Sequence, residues 1–81
     1  MQDEELIAHI DRLIAEEHAL HSHSSAGRAI SAADHARLSE LEVQLDQLWD
    51  LLRRRRALRN AGADPDATGV RDATVVEGYQ Q

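Results

Sequence analysis

The chain has 81 residues, of which 42% are hydrophobic and 30% charged, with a formal net charge of −6 at pH 7. This length supports one domain, and the net charge argues against a general nucleic-acid binder, which needs a cationic surface for phosphates. The absence of cysteine excludes disulfides and thiolate chemistry. The acidic N-terminus is unlike a signal peptide, and no apolar stretch approaches the ~20 residues of a membrane span, so we expect a cytoplasmic protein without membrane contact.

The first predicted element is a helix over residues 3–25. Asp3 can cap it, and Glu4 and Glu5 complement the positive end of the helix dipole. The apolar residues recur at spacings of three and four, which indicates one face of a helix and excludes a strand. They are Leu6, Ile7, Ile10, Leu13, Ile14 and Leu20. We expect the helix to end near Ser25, before Gly27, because glycine tolerates the left-handed conformation that terminates helices.

The second predicted helix covers residues 32–60 and is the longest element of the chain. Ser31 followed by Asp34 is close to a capping box, and Gly62 with Pro65 shortly beyond it ends the helix. Its apolar seam alternates steps of three and four and then becomes cationic. The seam residues are Leu38, Leu41, Leu45, Leu48 and Leu52, followed by Arg55 and Arg59.

Two matched stripes joined by a short loop predict an all-α, antiparallel two-helix hairpin over residues 1–62 that resembles a coiled coil. The best register pairs positions whose numbers sum to about 58, because it matches leucine with leucine or isoleucine and places Asp3 opposite Arg55. Residues 63–81 form a polar C-terminal tail, in which Asp72 can cap a short helix near 72–79.

Ile7, Ile14 and Trp49 fall on one flank of this hairpin, and Leu51 and Leu58 on the other, where an isolated hairpin cannot cover them. We expect these five residues to form an interface, with two hairpins pairing into a homodimeric four-helix bundle. In the alternative, the tail covers the first flank through Val75, Val76 and Tyr79 and leaves a monomer. An unidentified protein is a further candidate partner.

Two side-chain clusters suggest other functions. Three or four of the histidines His18, His21, His23 and His35 could converge at the predicted hairpin tip, where imidazoles could bind zinc, nickel or copper. Solvated histidines near a helix C-terminus explain them as well.

A basic patch near the end of the second helix could serve a nucleic-acid or transcription-machinery accessory protein. Its residues are Arg53, Arg54, Arg56 and Arg59. The four consecutive arginines from Arg53 to Arg56 cannot share one face of a helix, however, and pairing with nearby acids explains most of the patch. The chain offers no oriented nucleophile, no phosphate loop and no room for a dry pocket, so we expect neither enzymatic activity nor a cofactor.

The stretch from Leu41 to Gly62, with Trp-Asp-Leu-Leu-Arg at its centre, is the most specific part of the sequence. Together with Asp64-Pro65-Asp66 and the closing residues 75–81, it resembles a family of small uncharacterised actinobacterial proteins known as a domain of unknown function. The resemblance covers nearly the whole chain. It implies a bacterial cytoplasmic helical protein and supplies no catalytic or ligand-binding residues.

Overall fold

The computed structural model describes residues 2–25, 29–72 and Val76. Helix α1 runs over Asp3–Ser25 and helix α2 over Ala32–Asn60, and a short 3-10 helix follows at Pro65–Ala67. Across these residues the chain is helical or irregular, without a strand, which confirms the all-α prediction. Within the described ranges, the helices contain no apolar run that could span a lipid bilayer.

The two long helices form an antiparallel hairpin, as their ion pairs demonstrate. At the chain end, Asp3 Oδ1 accepts a hydrogen bond from Arg55 Nε at 2.7 Å, as the predicted register requires. Nearer the hairpin tip, Glu16 Oε1 accepts from Arg37 Nη2 at 2.8 Å. The earlier residue of α1 thus pairs with the later residue of α2, so the two helices run in opposite directions.

Leucines and one isoleucine fill the space between the helices. The buried cluster comprises Leu6, Ile10, Leu13, Leu41, Leu45, Leu48, Leu51 and Leu52, and Ile14 and Leu20 pack against its edge. All but Leu51 belong to the two predicted stripes. Because leucine, which accounts for all of the buried cluster except Ile10, favours the helix while it fills this core, local preference and packing agree along both helices.

The ends of α2 follow their sequence signals. The Ser31 side chain accepts a hydrogen bond from the Asp34 N–H at 3.1 Å, as an N-cap serine does. At the other end Gly62 has a φ of +77°, the left-handed conformation that glycine adopts without strain. This turn directs the tail back along α2. Helix α1 ends at Ser25, where the sequence predicted its end, and Gly27 lies outside the described residues.

In the tail, the Asp64 side chain caps the 3-10 helix by accepting a hydrogen bond from the Asp66 N–H at 2.9 Å. Of the helix predicted near 72–79, the structure describes two residues. The Val76 N–H donates to the Asp72 carbonyl at 3.2 Å, a helical bond, and Val76 is 1% exposed. Val75 and Tyr79 lie outside the described residues.

Candidate interaction surface

The first flank of the hairpin carries the ridge, defined as Ile7, Ile14 and Trp49. Heptad geometry places all three on the same side of an antiparallel pair. Trp49 is 41% exposed and Ile7 38% exposed, whereas Ile14 is half-buried against the core. With Val70, Trp49 and Ile7 are the large hydrophobic residues that the described chain leaves exposed. The ridge therefore presents an aromatic ring and an aliphatic side chain to solvent.

The second flank is already occupied by the chain's own tail, and this corrects one part of the predicted interface. Leu51 is only 3% exposed and belongs to the core, and Leu58 is half-buried. The tail and α2 enclose a cleft of about 190 Å³ that Leu51 lines together with Thr68 and Val70. Leu51 is thus a core residue, because the tail returns over the flank on which it lies.

The tail is fastened to α2 by a cluster that we call the tail clamp, formed by Asp50, Arg54 and Arg71. The Asp50 carboxylate is buried and accepts hydrogen bonds from Arg54 Nε and Arg71 Nε, both at 3.0 Å. Arg54 also contacts the Thr68 hydroxyl and donates to the Gly69 carbonyl at 2.5 Å. The tail clamp therefore ties a helix to two separate points of the tail.

The tail clamp fixes the charge of its carboxylate. Hydrogen bonds from Arg71 and then from Arg54 lower the pKa of Asp50, although burial acts in the opposite direction. Asp50 therefore remains ionised well below neutral pH. A paired carboxylate of this kind stabilises the docked tail and has no proton to exchange near pH 7.

A second ionic cluster closes the chain end of the hairpin. Asp3 accepts hydrogen bonds from Arg55 Nε and Arg59 Nη1, and Asp66 accepts from Arg55 Nη1, each at 2.7 Å. Hydrogen bonds from Arg59 and Arg55 hold the pKa of Asp3 far below its usual range. The Arg55 side chain is 6% exposed, so it joins α1, α2 and the tail from inside the seam.

The basic patch predicted from the sequence is divided by these clusters. Arg54 is engaged by the tail clamp, and Arg59 binds Asp3. Arg53 and Arg56 are exposed and make no ion pair with any residue in the described ranges. The patch is therefore two free arginines on the side of α2 that carries Trp49, and not a continuous cationic surface.

The four candidate metal ligands near the tip are exposed: His18, His21, His23 and His35. Within residues 2–25, 29–72 and 76, no group of three histidine, aspartate or glutamate side chains lies close enough to hold a metal ion. The described chain thus gives the alternative of a metal-binding tip no geometric support.

Comparison with known proteins agrees with the resemblance seen in the sequence. A family model described as a protein of unknown function, DUF2630, matches residues 2–81. The chain belongs to this family. The uncharacterised proteins Mb0922c of Mycobacterium bovis and Rv0898c of Mycobacterium tuberculosis are each 48% identical to it over 77 residues, which cover 95% of this chain and 88% of each relative. No solved structure matches the chain at a significant level.

The matched region of this DUF2630 protein includes the tail clamp, and the sequence indicated its local pair of Asp50 with Arg54 but not its link to Arg71. Arg71 lies 21 residues from Asp50, in a segment without hydrophobic periodicity. One indirect signal is present in the sequence, since Asp50 lies outside the apolar seam of α2 and directly beside the apolar Leu51. An acid that neighbours an apolar flank could have been taken as a docking point for a cationic segment.

Proposed function

We propose that this protein is a non-enzymatic helical interaction module that self-associates through the ridge. The observation that supports this most directly is the exposure of Trp49 and Ile7 on one flank of a hairpin whose other large apolar residues, within the described ranges, are buried or half-buried. Facing ridges from two copies would remove both side chains from water and produce the four-helix bundle expected from the sequence.

The gain from such pairing is substantial for a chain this small. An aromatic side chain buries about 150–250 Å² when it is fully covered, and apolar area contributes roughly 25 cal/mol per Å². Trp49 is 41% exposed in one copy, so burial of this remaining surface contributes on the order of 2 kcal/mol per copy. Burial of Ile7 adds to this free energy. Two copies then contribute several kcal/mol toward association.

The position of the tail also supports a free ridge. The tail could have covered the ridge and left a monomer. Residues 63–72, which are the described tail apart from Val76, instead lie on the flank of Leu51, where Arg71 is held by Asp50. Ile7 and Trp49 thus stay uncovered by that part of the tail.

Sedimentation equilibrium of the wild type and Trp49→Ala tests the proposal. The wild type should sediment with twice its 9.0 kDa chain mass at high concentration, and Trp49→Ala as a monomer. Val70→Ala is the matched control, because Val70 is 55% exposed but lies in the tail, and it should remain dimeric. A monomeric wild type at every accessible concentration would reject self-association. The cytoplasmic location and the absence of enzymatic activity stay predictions.

A further inference from the structure

Trp49 lies at the centre of a charged stripe, which we define by five residues of α2 that recur at steps of four and three. They are Glu42, Asp46, Trp49, Arg53 and Arg56. Such spacing places side chains along one line of a helix surface. Asp46 is half-buried and the other four residues are exposed. The charge order along this line is negative, negative, tryptophan, positive, positive.

The four charges of the stripe have no ion-pair partner in residues 2–25, 29–72 and 76. This distinguishes Arg53 and Arg56 from five arginines of the described chain that do pair with acids: Arg37, Arg54, Arg55, Arg59 and Arg71. Ion pairs within the chain thus engage most of the described arginines, whereas Arg53 and Arg56 remain unpaired in those ranges beside the exposed Trp49 ring.

The stripe does not stabilise α2 on its own. Glu42 and Asp46 are like charges four residues apart, and Arg53 and Arg56 are like charges three residues apart, an arrangement that weakens an isolated helix. The helix dipole explains little of it, because its influence falls off within the first and last turns, and Glu42 lies ten residues inside a helix that begins at Ala32.

We propose that a second copy of this chain docks on the charged stripe with the two α2 helices antiparallel, about a two-fold axis that passes beside Trp49. This arrangement rests on the self-association proposed above and specifies it. Glu42 and Arg56 each lie seven residues from Trp49, which is about 10.5 Å along the helix axis at 1.5 Å per residue. In this arrangement Glu42 of each copy therefore lies opposite Arg56 of the other copy.

The inner pair of charges matches in the same way. Asp46 lies three residues before Trp49 and Arg53 four residues after it, about 4.5 and 6 Å along the axis, so they also face across the two-fold axis. Trp49 of one copy then meets Trp49 of the other, with Ile7 beside it on α1. A parallel arrangement of the two α2 helices would instead oppose acid with acid and arginine with arginine.

Charge reversal tests this arrangement by sedimentation equilibrium. Arg53→Glu with Arg56→Glu makes every charge of the stripe negative, and the dissociation constant should rise by about tenfold or more, because four interchain attractions become repulsions. Arg12→Glu is the control: Arg12 is exposed and has no ion-pair partner in the described ranges, but lies on α1 outside the stripe. It should change the dissociation constant little.

The complete reversal is the decisive variant. Glu42→Arg, Asp46→Arg, Arg53→Glu and Arg56→Glu together keep the formal net charge at −6, because two acids and two arginines exchange signs. This variant should regain the wild-type dissociation constant for itself, but should not mix with the wild type in a subunit-exchange experiment with fluorescent labels. Circular dichroism of each variant verifies that the helices are intact.

The outcomes separate this arrangement from the self-association on which it rests. A monomeric wild type overturns both. A dimeric wild type whose affinity is unchanged by Arg53→Glu with Arg56→Glu overturns the antiparallel arrangement and leaves self-association standing. Loss of the dimer in the double variant, with recovery on complete reversal, supports both.

Discussion

Replacement of Asp50 by asparagine should release the tail while it leaves the hairpin folded. The Asp50 side chain is 7% exposed and holds Arg54 and Arg71 together. Asparagine has nearly the same shape but no charge, so two charge-assisted contacts become weaker at once. Because the tail clamp is the principal polar link between α2 and the end of the described tail, the effect should concentrate there.

The structure gives the magnitude of this effect. A hydrogen bond to a charged group contributes about 1.5–3 kcal/mol. The Arg71 side chain is 29% exposed and regains some hydration when it is released, so the lower part of that range applies, on the order of 1.5–2 kcal/mol. Since about 1.4 kcal/mol is a factor of ten, the population with an undocked tail should rise roughly 10- to 30-fold.

Limited proteolysis with trypsin measures that population. Cleavage after Arg71 requires the side chain to leave Asp50, and at low protease concentration its rate follows the population of the open form. The rate of cleavage after Arg71, followed by mass spectrometry, should rise 10- to 30-fold in Asp50→Asn. Asp11→Asn is the matched control, because Asp11 is exposed on α1. In this variant cleavage after Arg71 should proceed at the wild-type rate. An equal rate in Asp50→Asn and wild type would refute the role of the tail clamp.

Three further predictions follow from the fold. Leu51→Ala should lower the free energy of unfolding in urea by about 2–5 kcal/mol, as loss of a core leucine does, whereas an interface role alone would leave it unchanged in the monomeric Trp49→Ala background. Gly62→Ala should cost about 1 kcal/mol in the same assay, because φ is +77° and alanine is strained there even though its Cβ would meet no neighbour; no change would mean that the turn adapts. The pKa values of Asp3 and Asp50 are lowered in the folded chain, so their stabilising contribution is complete above the unfolded pKa of about 3.9 and is lost as pH falls through the folded pKa. Urea unfolding monitored by circular dichroism should therefore give a constant stability from about pH 7 to 5 that falls below about pH 4, and a stability independent of pH would contradict this.

The sequence was sufficient to predict the hairpin because its two stripes constrain each other. Leucine spacing alone would allow several registers, but the requirement that Asp3 meet a cation selects the one in which Arg55 lies opposite, and the 2.7 Å contact confirms it. Ser31 at the start of α2 and Gly62 after its end were likewise local signals with a physical cause. Periodicity and capping are properties of neighbouring residues, which a sequence displays directly.

The path of the tail could not be predicted in the same way. Its contacts join Arg71 to Asp50 and Thr68 to Arg54 across 21 and 14 residues, through single polar side chains without any repeat. The consequence for the site was specific: Leu51 looked as available as Trp49 because both flank the seam. The tail covers Leu51, whereas Trp49 remains exposed to solvent.

The emission of Trp49 measures the central claim, self-association through the ridge, most directly. It is the single tryptophan of the chain, and it is 41% exposed in one copy. As the protein concentration increases, its emission maximum should shift to shorter wavelength and its quenching by acrylamide should decrease, both with one midpoint that coincides with dimer formation by sedimentation. An emission maximum and quenching constant that stay unchanged while the mass doubles would show that the chain associates through a different surface.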